Sequence, residues 1–175
     1  MTLPQYFYNI DVHTHDRNPD HEAIVSITPR DSFGDNPWYS VGIHPWEADE
    51  ATAADWQKLE AMAADTRCVA IGECGLDNKR GPAPEIQEAA FRRQVLLAES
   101  THKPLIIHCV GCVDALLRIR REMRPAMPWI LHGFRGKPRQ AQQLTAHGLY
   151  LSLGTRHNPD VPAAVPASHL LHETD

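Results

Sequence analysis

Short apolar runs alternate with amphipathic segments along most of the chain. Eight runs rich in Val, Ile and Leu predict strands at 7–13, 22–29, 39–45, 68–73, 104–109, 128–133, 149–154 and 169–175. Most of these runs are nearly continuous, which is typical of parallel strands that are covered on both faces. The pattern therefore favours a parallel sheet over an antiparallel one.

Four segments carry apolar residues at helical spacing. They predict helices over residues 49–64, 84–101, 113–123 and 137–147, with Gly148 as the stop signal of the last helix. The alternation of strands and helices indicates an α/β protein, and eight strands predict a closed (β/α)8 TIM barrel.

The first third of the chain departs from that alternation. The stretch DRNPDHE after the first strand is shorter than the ~10 residues that a crossover needs. The stretch RDSFGDNPW (30–38) is too short and polar for a good helix, and no segment follows Asp175. We therefore predict one domain, residues 1–175, with helices missing around strands one to three and after strand eight. An uncovered apolar flank there would favour a homodimer.

Composition narrows the class of protein. The chain is 42% hydrophobic and 22% charged, as expected for a globular domain. It contains no membrane-length apolar run, and its first residues lack the features of a secretory signal, so we expect a cytoplasmic protein and no membrane partner. The net charge of −5 argues against tight, non-specific coating of a nucleic-acid duplex, although not against a nucleic-acid substrate.

Two of the cysteines form a motif with more than one functional interpretation. Cys109 and Cys112 form a C-x-x-C, which is the spacing of a redox pair or of half a zinc site. A second C-x-x-C is absent. We favour the interpretation that these are small, reduced thiols buried near a strand end.

Potential metal ligands end several of the predicted strands. Residues i and i+2 of a strand point to the same side, so His13 and His15 aim at one place. The carboxyl ends of all strands of a parallel barrel open on one face. Six side chains should therefore converge, and they suit Zn, Mn or Fe. They are His13, His15, Glu73, His108, His132 and Asp175.

The other histidines have simpler interpretations. A single histidine after an apolar run is most often hydrogen-bonded or at the surface. We interpret His21 as structural, and five residues on helix ends or loops as solvated: His102, His147, His157, His169 and His172.

Six motifs, in this order, resemble the TatD family of metal-dependent hydrolases: IDVHTH, VGIHPW, AIGECGLD, LIIHCVG, WILHGFRG and LLHETD. The resemblance covers nearly the whole chain, and the F-x-x-Q from Phe91 to Gln94 strengthens it. It implies a TIM barrel of the amidohydrolase type and a centre of two divalent metal ions, Zn, Mn or Mg. It also implies deoxyribonuclease activity, often as a 3′–5′ exonuclease.

The resemblance assigns metal ligands by motif. His13 and His15 match the ligands of the first metal, and Glu73 matches the carboxylate that bridges both metals. His108 and His132 match the ligands of the second metal.

Three residues are candidates for the catalytic step itself: Asp175, Glu73 and His44. Asp175 matches an aspartate that contacts metal and the nucleophilic water, and would take the proton of that water. His44 matches a position near the substrate phosphate. Arg135, in the stretch RGKPR (135–139), is a candidate to stabilise phosphate, although a solvated loop arginine is an equal alternative.

The favoured hypothesis is a phosphodiesterase that acts on DNA ends or on small phosphodiesters. The same barrel type also hosts hydrolases of C–N or C–O bonds, since a fold does not fix a function. A histidinol-phosphatase-like barrel also begins with H-x-H, but GECGLD and LLHETD are not its motifs. A last alternative is a barrel that binds metal without turnover.

Overall fold

Eight parallel strands close into a barrel in chain order. The computed structural model describes all residues, Met1–Asp175. The strands are β1 (Asp11–Thr14), β2 (Ala23–Ile27), β3 (Tyr39–Val41), β4 (Cys68–Asp77), β5 (Leu105–Val110), β6 (Trp129–Leu131), β7 (Tyr150–Leu153) and β8 (Leu170–His172). The ring closes where His172 of β8 pairs with Asp11 of β1. The predicted barrel is confirmed.

Four helices occupy the predicted segments, and a fifth, very short one precedes β8. They are α1 (Ala53–Ala63), α2 (Pro84–Thr101), α3 (Val113–Met123), α4 (Pro138–Ala146) and α5 (Val161–Ala164). Helix α1 begins later than predicted because Thr52 and Asp55 form a reciprocal capping box at its start. None of these helices combines the length and the apolar character that crossing a membrane requires.

Several predicted strands are longer than the observed ones, among them 39–45 and 169–175, and the first and fourth predictions also misplace a strand end. The predicted first strand, 7–13, begins too early, because Gln5–Tyr8 forms a 3-10 helix before β1. The predicted fourth strand, 68–73, ends too early, because β4 continues through Glu73 to Asp77. Glu73 interrupts the apolar run, whereas parallel pairing with β5 continues to Asp77.

The predicted absence of helices around the first strands is confirmed, but the predicted apolar flank is wrong. Loops join β1 to β2 and β2 to β3, yet every residue of these three strands is buried. Phe33 of the second loop packs on the core, and the Tyr39 hydroxyl accepts hydrogen bonds from Gly34 N (2.8 Å) and Asn36 N (3.2 Å). A compact loop thus covers what a helix would cover, and the homodimer stays a prediction without an exposed flank to support it.

The core has two parts. Inside the barrel, Val12, Ile24, Ile106 and Ile130 pack with Phe7 from the segment before β1. A larger cluster of 30 buried residues fills the space around the barrel and contains side chains from both strands and helices. The barrel is therefore solid, and the carboxyl ends of its strands are left to form the mouth.

A glycine in β4 allows close approach to β5. Gly75 has φ +140° and pairs with His108, and a Cβ at Gly75 would collide with the His108 carbonyl oxygen. Gly75→Ala should therefore lower the free energy of unfolding by about 2 kcal/mol or more, through backbone strain and overpacking. Urea denaturation measures this loss.

Gly111→Ala is the matched control. Gly111 also has a positive φ, +64°, but a Cβ there would meet only Asn78 Cβ at 3.6 Å, an ordinary contact. The free energy of unfolding of this control should fall by only ~1–2 kcal/mol, which is the cost of placing a residue with a Cβ in the left-handed conformation. Equal losses in the two variants would show that the contact between β4 and β5 is not tight.

Candidate metal centre

The Glu73 carboxylate lies at the centre of the barrel mouth, and its two oxygens face different histidines. Glu73 Oε2 is 3.5 Å from His13 Nε2 and 3.4 Å from His15 Nε2. Asp175 faces the same pair, with Oδ2 at 3.6 Å from His13 Nε2 and Oδ1 at 3.9 Å from His15 Nε2. Two histidines and two carboxylates thus form a first group of donors.

The second group surrounds the other oxygen. Glu73 Oε1 is 2.9 Å from His108 Nδ1 and 2.7 Å from His132 Nε2. His44 Nε2 lies 3.2 Å from the same oxygen. The structure therefore brings together all six predicted ligands and also His44.

These contacts fix the charge of Glu73. Burial alone would raise its pKa, but the surrounding imidazoles, His108 and His13 foremost, lower the pKa far below its usual range. Burial also opposes the charged form of His132, yet hydrogen bonds to Glu173 and Glu73 raise its pKa to about 10. Glu73 is thus ionised at neutral pH, which is the state that a metal ligand needs.

The donor set fits a divalent metal ion. Both ring nitrogens of His13 are buried and have no hydrogen-bond partner, which costs about 1–3 kcal/mol per atom if nothing compensates. A coordinate bond from Nε2 would supply such compensation. Several groups of three donor residues have their ligand atoms within 4.8 Å of one another, among them His13, His15 and Asp175, and His44, Glu73 and His108. Imidazole and carboxylate together suit Zn or Mn.

Two further carboxylates orient the histidines of the second group, and neither was predicted from the sequence. Asp77 Oδ2 accepts a hydrogen bond from His108 Nε2 (2.9 Å), so that Nδ1 faces Glu73. Glu173 Oε1 lies 3.5 Å from His132 Nδ1, and its Oε2 accepts from Gly133 N at 2.9 Å. Metal-bound histidines commonly have such a carboxylate on the second ring nitrogen.

A sequence signal for these two residues existed. Asp77 is four positions after Glu73, and Glu173 is two positions before Asp175. The period of two that placed His13 beside His15 places these carboxylates on the mouth side as well.

Two buried glutamines of α2 hold the strand ends that carry the site. The Gln94 amide accepts from Ile43 N (2.8 Å) and donates to Ile43 O (3.0 Å), next to His44. The Gln87 amide accepts from Asp77 N (2.7 Å) and donates to Asp77 O (3.0 Å). The Gln of the F-x-x-Q motif is therefore a clamp on the backbone that positions His44.

The buried carboxylate of Asp11 ties β1 to the end of the chain. It accepts hydrogen bonds from His13 N (3.0 Å) and from the Thr174 hydroxyl (2.5 Å), beside Asp175. His21 Nε2 lies 3.0 Å from the same carboxylate, which confirms the structural interpretation of His21.

Two histidines interpreted as solvated are instead partly buried. His157 Nδ1 lies 2.7 Å from Gly154 O, and the ring of His169 stacks on Tyr150 with a centroid distance of 5.0 Å. The other three histidines of that set are exposed.

The mouth opens into a cavity of about 1000 Å³. Trp46 and three cationic residues, Arg17, Lys79 and Arg135, line it together with the histidines. The Trp46 indole donates to Asp77 Oδ2 at 2.8 Å, whereas Phe134 is 5% exposed and packs beneath the rim. The volume suits a ligand of nucleotide size.

Comparisons with known proteins agree with this geometry. The profile of the family described as TatD related DNase matches residues 9–175. The chain is 32% identical over 149 residues to the 3′-5′ ssDNA/RNA exonuclease TatD of Escherichia coli, covering 79% of this chain and 57% of that protein. The enzyme of the same name from Cronobacter sakazakii is 34% identical over 148 residues, covering 79% and 56%. The chain thus spans a little over half the length of these relatives.

Solved structures share the fold. A TatD homologue from Escherichia coli superimposes with a TM-score of 0.78 at 24% identity, over 95% of this chain and 78% of that one. A TatD family hydrolase from Entamoeba histolytica gives a TM-score of 0.78 at 17% identity, over 95% and 73%.

Removing the Gln94 clamp should destabilise the protein. Gln94→Leu keeps the approximate volume but leaves the buried backbone groups of Ile43 without partners, so the free energy of unfolding should fall by about 2 kcal/mol or more. Chemical denaturation measures the change. Gln143→Leu, on the exposed face of α4, is the control and should stay within about 0.5 kcal/mol of wild type. A Gln94→Leu protein as stable as that control would contradict the clamp.

Asp77 should control metal affinity through His108. Asp77→Asn removes the charge that orients the His108 ring, and we expect Mn²⁺ or Zn²⁺ to bind about 10- to 100-fold more weakly. Competition with a chelating dye measures the affinity. Asp35→Asn, in an exposed loop, is the matched control and should bind like wild type. If all three proteins bound metal equally, Asp77 would have no role in orienting His108.

Proposed function

Because the chain belongs to the TatD-related DNase family, we propose that it is a divalent-metal-dependent hydrolase that cleaves phosphodiester bonds, as a 3′–5′ exonuclease on nucleic acid. The observation that carries this proposal is the Glu73 carboxylate, whose two oxygens each face a separate group of histidines. Residues 1–175 would act as one hydrolase domain. DNA ends and small phosphodiesters are the proposed substrates.

Two metal ions, chosen from Zn, Mn and Mg, would be held on either side of Glu73. His13, His15 and Asp175 would hold one, and His108 and His132 the other. Bound divalent ions supply Lewis acidity at the phosphoryl oxygens and lower the pKa of water towards neutrality. The strands fix the backbone positions of the ligands in advance. His132, whose pKa is raised to about 10 by Glu173 and Glu73, would release its proton when metal binds.

Asp175 is the proposed general base. The imidazole of His13 lowers the pKa of Asp175, although burial opposes this, so the carboxylate is ionised at neutral pH and can accept a proton. Its side chain is 34% exposed, which leaves it accessible to water from the cavity. Glu73 is 6% exposed and accepts from several imidazoles, so it is better suited to a fixed ligand than to proton transfer.

The cavity wall supports a phosphate-bearing substrate. Arg135 and Lys79 line the cavity and form no ion pairs within the chain, whereas Arg17 is paired with Asp31 at 2.7 Å. Their charges would attract a phosphate backbone locally in spite of the net charge of −5. His44 lies beside Glu73 at the cavity wall, where it could donate to a phosphate oxygen. Trp46 is 36% exposed, but the Arg80 guanidinium lies 3.7 Å from its ring centroid, so a terminal base would stack there only by displacing Arg80.

Glu73→Gln tests the proposal directly. The amide removes the charge shared by both donor groups, so metal stoichiometry should fall. Mn²⁺-supported cleavage of single-stranded DNA should fall by more than the ~100-fold expected when a carboxylate that only orients a metal ligand is removed. Metal content by atomic emission and cleavage of 5′-labelled oligonucleotides measure the two effects. A 3′–5′ exonuclease gives a ladder of products that shorten stepwise.

Glu60→Gln is the matched control. Glu60 pairs with Arg93 on the protein surface, so its loss should change neither metal content nor cleavage. Equal metal content and activity in Glu73→Gln and wild type would refute the bridging role. Wild-type hydrolysis of amides or lactones, but of no phosphodiester, would favour the C–N or C–O alternative. Full metal occupancy without any hydrolysis would favour a binding protein.

A further inference from the structure

The C-x-x-C motif lies at the wall of the cavity and has no part in the proposed hydrolysis. Cys109 is in β5, directly after His108, and Cys112 is the residue before α3. Their Sγ atoms are 2.7 Å apart. Cys109 is partly exposed and lines the cavity, whereas Cys112 is 3% exposed.

The backbone brings these two sulfurs together. Gly111 has φ +64°, a left-handed conformation that reverses the chain between β5 and α3. The Cys112 Sγ also donates to Leu76 O at 3.2 Å, which holds it against the strand that pairs with Cys109. A disulfide has an S–S distance of about 2.05 Å, so closing the bond requires a movement below about 1 Å.

The other two cysteines differ from this pair. Cys68 and Cys74 are 1% and 0% exposed, and each thiol donates to a backbone carbonyl, Ala70 O and Ile106 O respectively. Neither has a second sulfur as a partner. The interpretation of Cys109 and Cys112 as small buried thiols fits Cys112, but it does not explain why a partly exposed Cys109 is in contact with it.

We propose that Cys109 and Cys112 are a redox modification site, which closes to an intramolecular disulfide by exchange with a low-molecular-weight disulfide and reopens with excess thiol. The proposal does not depend on the nuclease activity. It assigns the attacking role to Cys109, because Cys109 is partly exposed whereas Cys112 is 3% exposed, and the resolving role to Cys112.

The exchange balances in two steps. The Cys109 thiolate attacks one sulfur of the small disulfide, forms a mixed disulfide and releases one small thiol. The Cys112 thiolate then attacks the Cys109 sulfur and releases the second small thiol. The two protons lost by the cysteines are taken up by the two released thiols, and the small disulfide is reduced by two electrons as the protein is oxidised.

Glutathione disulfide and intact-mass spectrometry test the site. The full chain is incubated with glutathione disulfide, quenched with acid and counted for thiols after unfolding. Wild type should fall from four thiols to two, with a mass lower by two hydrogens and no bound glutathione. Dithiothreitol should restore all four.

Three variants separate the roles. Cys112→Ser should stop at a mixed disulfide with one bound glutathione, because Cys109 reacts and nothing resolves it. Cys109→Ser should stay unmodified, because Cys112 is buried. Cys68→Ser is the matched control and should still close the disulfide at the wild-type rate, within about twofold.

Several results would overturn the proposal. Wild type that keeps four thiols would do so, as would wild type that retains bound glutathione. A peptide map that links Cys68 or Cys74 would also overturn it. Failure of dithiothreitol to restore the thiols would mean irreversible oxidation, which is a different reaction.

Discussion

The burial of one carboxylate among five imidazoles is the constraint on which the structure of the mouth depends. An isolated buried charge is strongly unfavourable, so Glu73 must be surrounded by partners or by metal. Those partners come from β1, from β5 and from the residues that follow β1, β3 and β6, which are far apart in sequence. The closed barrel, with all its strands in one direction, brings their carboxyl ends to the same level.

A second layer of polar side chains keeps this cluster in place. Asp77 and Glu173 hold histidine rings from behind, and Gln87 and Gln94 hold the backbone of neighbouring strands. All four are buried, and the hydrogen-bonding groups of each find partners. Each ring that faces Glu73 from β5 or β6 therefore has a second contact that fixes its orientation, which is the preorganisation that a metal site requires.

Local patterns predicted the elements well, because each depends on nearby residues. Apolar runs located eight strands, and residues at strand ends located six donors, including Glu73 and Asp175. The extension of β4 to Asp77 escaped prediction because the charged Glu73 interrupts the apolar run, although every residue from Glu73 to Asp77 is buried. The sequence also did not predict that a loop covers β2 and β3. This covering depends on Tyr39 and Phe33 packing in three dimensions, which periodicity does not encode.

The pairing that closes the barrel is the least extensive of its strand pairings. Strands β4 and β5 are paired at several positions, whereas β8 is paired with β1 only through His172 and Asp11. Hydrogen bonds from the Thr174 backbone N–H and hydroxyl to the Asp11 carboxylate add to this pairing of β1 with β8, called the seam below. Amide protons along the seam should thus exchange with solvent sooner than those of the central strands, and each such opening would carry Asp175 away from His13 while the rest of the barrel stays folded.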